Sequence, residues 1–321
     1  MHAFNLRSQR KYSLLCTVIL SLGLSACGGG GSSGGSTAQV AVTITPTNTT
    51  QVAGAAIDSA LGGSSLPIGL QTTVSTSGQA LATTGKTLAQ IGQRAAQLAM
   101  SGGQSIASGL TATQSCTLSG TASSIIGTSS GTVTYINCSY VAGETLNGTI
   151  SISNVVSTAS LVSMDMAYSL TITTASPANT STASGDMRIA MDNAFNLTMS
   201  GSNLSMSNTN AALGNFSLQN YSMSFDSAGN FTSLTYTFYS SVIGGTAVFT
   251  MTTPFTYGAG IFPSAGAATV TGAGGSRLRI TVLGDENAAV GSQVKLELSS
   301  DGGATYGTPT YVTWATVSSL I

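Results

Sequence analysis

The sequence holds one histidine, His2, and it lies in an N-terminal stretch with the build of an export signal, so the chain beyond that stretch has no imidazole. That absence excludes Ser-His-Asp and Cys-His catalysis, histidine-ligated zinc and histidine pH sensing, each of which needs the missing ring. Charge is scarce as well: only 6% of residues are Asp, Glu, Lys or Arg, against about a quarter in an ordinary globular chain. Arg7, Arg10 and Lys11 belong to the same N-terminal stretch, so six cations face ten carboxylates beyond it, a net charge of −4. So few cations form no basic patch for nucleic acid. Yet 42% of residues are hydrophobic and the mean hydropathy is +0.30, which is not the composition of a disordered chain. Such a chain folds by burying β surface and stays soluble on Ser, Thr, Asn and Gly.

What is present at the N-terminus is an address. The three cations are followed by an apolar run from Leu14 to Leu24, broken by Thr17, Ser21 and Gly23. The run is short of the roughly 20 apolar residues that span a membrane, and it reads as a secretory signal. Small residues then precede a cysteine in Leu24-Ser25-Ala26-Cys27, which resembles the lipobox of bacterial lipoprotein precursors. The resemblance implies that residues 1–26 are removed and that Cys27 carries thioether-linked diacylglycerol and an N-acyl (palmitate-type) chain. More than one acyl chain is what stable anchoring requires. Gly28 follows, where an Asp would mark inner-membrane retention in enteric relatives of this class, so the implied residence is the outer membrane. Which side the body faces is left open.

Residues 27–52 begin as a Gly/Ser tether, residues 53–110 read as a helical segment, and residues 111–321 as an antiparallel β domain. Val40 to Ile44 alternates and suggests a short first strand. Ala53 to Leu61 and Gly78 to Met100 carry apolar residues at three- and four-residue steps. With Cys16 in the signal and Cys27 acylated, Cys116 and Cys138 are the thiols left in an oxidising compartment, and a disulfide between them is expected. Closing that loop stabilises by roughly 3 kcal/mol on the chain-entropy model.

Beyond Gly102-Gly103 the apolar period becomes two. Val133, Tyr135 and Val141 share one parity while Ile136, Cys138 and Tyr140 share the other, as in a strand covered on both faces. Val162, Met164, Met166, Tyr168, Leu170 and Ile172 alternate with polar residues, and Met187, Ile189, Met191, Phe195, Leu197 and Met199 repeat the pattern. A parity switch between Leu218 and Tyr221 places a bulge near Asn220. Arg277, Arg279, Lys295 and Glu297 fall on the wet face of one hairpin, and Tyr311 to Trp314 closes the sheet. About ten strands after a helical segment give an α+β order, mainly β. The expected architecture is a curved antiparallel meander or open barrel with the helical segment packed against it; a β-sandwich and a transmembrane barrel are the alternatives.

Cys116–Cys138, Thr145-Leu146-Asn147-Gly148, Pro263-Ser264-Ala265-Gly266, Ser276-Arg277-Leu278-Arg279-Ile280, Ser300-Asp301-Gly302-Gly303 and Val312-Thr313-Trp314-Ala315 together resemble an uncharacterised group of proteobacterial outer-membrane lipoproteins. The resemblance implies a lipoprotein with a β body and no catalytic residue. That group often carries an acidic Asp-Gly-Asp loop before its last strand. Here Asp301 stands alone, which is too few carboxylates for calcium and suits a turn between strands. No metal or cofactor is expected.

Three functions remain. The preferred one is a non-enzymatic envelope lipoprotein whose β body binds or scaffolds an envelope protein partner. In the second, Met164, Met166, Met191 and Met199 line a curved-sheet cavity that carries an apolar or acyl ligand, since methionine adapts to irregular apolar shapes. In the third, Asp165, Asp186 and Asp192 supply paired carboxylates for carbohydrate chemistry.

Overall fold

The computed structural model describes residues 39–64 and 110–318, apart from short gaps at 127–128, 140–141, 159, 177, 195, 212–213, 228–229 and 258–261. Helix α1 (Thr49–Ser64) is followed by fourteen strands. They are β1 (Leu110–Ser115), β2 (Ser119–Ile126), β3 (Gly131–Ser139), β4 (Glu144–Ser157), β5 (Leu161–Ala175), β6 (Ala178–Asp192) and β7 (Leu197–Asn208). The series continues with β8 (Phe216–Phe225), β9 (Phe231–Ser240), β10 (Gly245–Tyr257), β11 (Pro263–Thr271), β12 (Arg277–Val282), β13 (Val294–Ser299) and β14 (Thr310–Val312). A short helix, α2 (Trp314–Ser318), ends the described chain. The strands form one antiparallel meander in which each pairs with its sequence neighbours, with β1 and β14 at the two edges. The sheet is curved and not closed.

Fourteen strands correct the expected ten or so. Strands β1, β2 and β11 read LTATQS, SGTASSII and PSAGAATVT, with too little apolar alternation to announce a strand; their neighbours' ladders recruit them. The run from Met187 to Met199 is two strands, since the turn after Asp192 divides β6 from β7. Trp314 opens α2 instead of ending a strand. Its backbone N–H donates to Gln293 Oε1 (2.7 Å), its indole N–H to the Gly284 carbonyl (2.8 Å), and its ring stacks on Phe262 at 4.7 Å.

One face of the sheet is apolar from Val133 on β3 to Leu296 on β13, and it is buried apart from partly covered residues such as Met191, Phe216 and Met251. Methionines dominate it under β5–β8. Under β8–β10 aromatics take over, with Phe225 and Phe231 4.4 Å apart and Tyr236 stacked on Phe249 at 4.9 Å. Helix α1 packs on β9, β11, β12, β13 and α2. Its Val52, Ala53, Ala55, Ala56 and Ile57 are all buried while Gln51 is exposed, and the alanines permit a close approach to the sheet. Tyr236 donates its hydroxyl to the Ala56 carbonyl at 2.5 Å, capping that buried acceptor. The predicted helix over Ala53–Leu61 is thus present, beginning at Thr49; the one predicted over Gly78–Met100 lies outside the described residues.

Non-glycine residues with positive φ among those described are Asn137 (47°), Asn154 (51°) and Asn220 (48°). Each sits where the ladder gains one residue: between Tyr135 and Cys138 in β3, Ser153 and Val156 in β4, and Gln219 and Ser222 in β8. Asparagine tolerates the left-handed region that most side chains avoid, and the extra residue bends the strand. The bulge expected at Asn220 is therefore present. The one at Asn137 corrects the two-faced reading of β3: Ile136 is 55% exposed, while Val133, Tyr135 and Cys138 point inward.

The segment Gln39–Thr45 forms no strand beyond a single parallel bridge, Ala41 to Thr246. It is a strap across one end of β10 and β11. Val42 N–H donates to the Thr246 carbonyl (2.8 Å), Thr246 N–H to Val40 (2.9 Å) and Ala273 N–H to Val42 (2.8 Å), while Ile44 N–H meets Ser276 Oγ (2.9 Å). A Cβ at Gly245 would stand 2.6 Å from the Val40 carbonyl, and one at Gly272 would collide with the Val42 carbonyl. The strap fits because both positions are glycine.

Candidate functional site

The methionines come together through strand register. Met164 lies opposite Ile189, which faces Met199, which faces Met223; one step along, Met166 faces Met187. Met164, Met166, Met187, Met199 and Met223 retain 1–6% exposure, so their surfaces meet packed atoms. Tyr168 directs its hydroxyl at the sulfurs of Met166 (3.6 Å) and Met187 (3.4 Å), and burial pushes that phenol well above its ordinary pKa. Of the four residues expected to line a cavity, Met164, Met166 and Met199 belong to this row. Met191 lies toward the end of β6 and is half-buried.

On the opposite face, β5–β8 carry a cleft of about 550 Å³ lined by Asp165, Asp186, Arg188, Ser200, Ser202 and Asn220, with Met166, Met187 and Gly201 completing it. The register shift between Gly185 and Arg188 in β6–β7 and the Asn220 bulge open this gap in the ladder. Two of the three expected carboxylates, Asp165 and Asp186, share the cleft, and both are engaged. Asp165 accepts from Arg188 at 2.8 Å and from Asn154 Nδ2 at 2.7 Å. Asp186 accepts from the Ser202 amide (2.7 Å), the Ser202 hydroxyl (2.6 Å) and the Asn203 amide (3.0 Å), and Tyr221 donates its hydroxyl to the Asp186 carbonyl. Burial pushes the Asp186 carboxyl up, but the Ser202 and Asn203 donors outweigh it and hold it below its usual range. A general acid needs the reverse shift.

The third carboxylate, Asp192, is a turn clamp. It accepts from the Asn196 amide (2.9 Å), Asn196 Nδ2 (2.9 Å) and the Ala194 amide (2.8 Å). Asp226 holds Asn230 in the same way, through the backbone amide at 2.9 Å and Nδ2 at 3.1 Å. Asp301 repeats the device with Thr305, whose amide (3.0 Å) and hydroxyl (2.6 Å) both reach it, while Ser299 donates at 2.6 Å. The Ser299 and Thr305 bonds hold the Asp301 carboxyl far below the usual carboxylate range. The turn reading of Asp301 therefore stands. A carboxylate four residues before an Asn or Thr is the sequence signal for all three turns. Among the described residues, no cluster of three or more His, Cys, Asp or Glu side chains could hold a metal.

Cys116 and Cys138 are disulfide-bonded with their Cα atoms 5.5 Å apart, and both are buried. The bond joins the exit of β1 to the end of β3, and the Asn137 bulge is what turns Cys138 inward. At the other edge, Glu297 accepts from Arg279 (2.8 Å) and Lys295 (3.1 Å), and Arg279 lies over the Tyr306 ring at 4.1 Å. Arg277 is exposed and Arg279 and Lys295 are partly exposed, but Glu297 is buried beneath its two cations, which corrects the expectation that all four charges lie on a wet face. Cys27 lies outside the described residues. No family model, curated protein or solved structure matches this chain.

Proposed function

We propose that this chain is an envelope lipoprotein, acylated at Cys27 and resident in the outer membrane, whose β body serves binding or scaffolding and performs no chemistry. The observation that carries the non-enzymatic part is the commitment of its carboxylates. Asp165 is held in an ion pair, and Asp186, Asp192 and Asp301 are held by amide and hydroxyl donors. The lowered Asp186 carboxyl does not fit the protonated acid that a carbohydrate-cleaving pair requires. The lipobox-like Leu24-Ser25-Ala26-Cys27 supports the anchor. Cell fractionation is the test: the wild type is expected in the outer membrane and Cys27→Ser in the soluble periplasm. A wild type found in the inner membrane or the soluble fraction would sink the assignment.

A second reading, a carrier of an apolar or acyl ligand, draws on the continuous methionine row, since thioethers repack readily around a guest. Because Met164, Met166 and Met199 are covered, a ligand would have to displace packed side chains. Mass spectrometry of natively extracted protein separates the two readings. A stoichiometric co-purifying lipid supports the carrier, and a bare chain supports the scaffold.

A further inference from the structure

The strap defines one end of the sheet. The turns 241–244 and 272–276 lie at that end because Val40–Ile44 bonds to Thr246, Ala273 and Ser276 there. Residues 300–306 join them, since Gly302 donates to the Gly275 carbonyl at 2.8 Å. Strands β10, β12 and β14 run away from this end, so the loop 283–293 lies at the opposite one. By the same up-and-down order, so do the turns after Asp192 and Asp226.

Charge follows the same division. Among the described residues the opposite end carries Asp192, Asp226, Asp285 and Glu286, and its described turns contain no Lys or Arg. Among the described residues the strap end carries Glu144, Asp301 and Arg277, a net −1 against −4. On an anionic phospholipid surface the −4 end is the more strongly repelled, over a Debye length of about 10 Å.

We infer that the strap end is the membrane-facing surface of the β body and that the acidic end points away from the lipid. The inference rests on acylation of Cys27. From Cys27 to Ala38, twelve residues precede the strap, and a Gly/Ser-rich coil of that length spans about 20 Å on average. The strap's hydrogen bonds hold Gln39–Thr45 on this end of the sheet, so the described chain enters the β body there. The partner of this surface is a phospholipid headgroup layer, met by neutral Gly, Ser and Thr turns together with Arg277, which is exposed.

The test uses the full acylated protein bound to vesicles containing anionic phospholipid and an acceptor-labelled headgroup. A donor dye is placed on Ala304→Cys at the strap end or Val290→Cys at the other; both sites are exposed. The bonded Cys116 and Cys138 do not take a maleimide. The two sites lie about 20 Å apart along β13, so energy transfer from position 304 is expected to exceed that from 290 by about twofold or more. Equal or reversed transfer in protein that floats with the vesicles overturns the orientation while leaving the anchor intact. Failure to float brings down the anchor, and this inference with it.

Discussion

Three asparagines decide where the strands bend. Asn137, Asn154 and Asn220 hold positive φ, where a β-branched residue costs roughly 1–2 kcal/mol. Asn220→Val is therefore expected to lower the unfolding free energy by about that amount in urea titration, and Asn220→Gly to leave it nearly unchanged. Equal losses for both would mean that the side-chain amide, not the backbone, matters. The Asn220 bulge was legible because Leu218 and Tyr221 are both apolar and of opposite parity. The Asn137 bulge was not, because Ile136 is apolar and yet exposed, so its parity pointed the wrong way. The clamping carboxylates set the acid limit. Asp186, Asp192, Glu297 and Asp301 all have folded-state pKa values below their ordinary ones. Their contribution is complete above the unfolded carboxylate range near pH 4 and is lost as pH falls through the folded values. Melting temperature should then be flat from about pH 5 to 7 and fall steadily below about pH 4; a flat profile down to pH 2 would show these contacts to be energetically idle.

The elements are fastened at a few points. Gly272 receives the strap, and a larger residue there meets backbone, which cannot give way. Gly272→Val should release Gln39–Thr45, read as faster hydrogen exchange at Val42, Ile44 and Ala273; unchanged exchange would contradict the fit. Removing the Cys116–Cys138 bond should cost about 2–5 kcal/mol and leave membrane attachment unaltered. Labelling of either cysteine in unfolded, unreduced protein would refute the bond. Met199 sits between Ile189 and Met223 in a packed row, so Met199→Ala is expected to cost about 2–5 kcal/mol by leaving a cavity. An unchanged stability with loss of a bound lipid would favour the carrier instead. The alternation of β5 announced this face plainly, whereas the strap left no periodic signal, being held by scattered backbone bonds to distant residues.

At the scale of the molecule, hydrophobic period gave away the mainly antiparallel β body, because each inner residue from Val133 to Leu296 lies on one buried face. It undercounted the strands, because Ser, Thr and Ala in β1, β2 and β11 leave pairing to the neighbours' ladders. The cleft was only half visible. Asp165 and Asp186 stand out as rare charges, but their joint position depends on the β6–β7 register shift, which no local pattern encodes. The central claim is that this β body hangs from an acylated Cys27. Intact mass of the detergent-extracted protein tests it most directly. The expected result is a chain beginning at Cys27, heavier by a diacylglycerol thioether and an amide-linked acyl chain. A chain that begins elsewhere, or one whose Cys27 is an unmodified thiol, would contradict it.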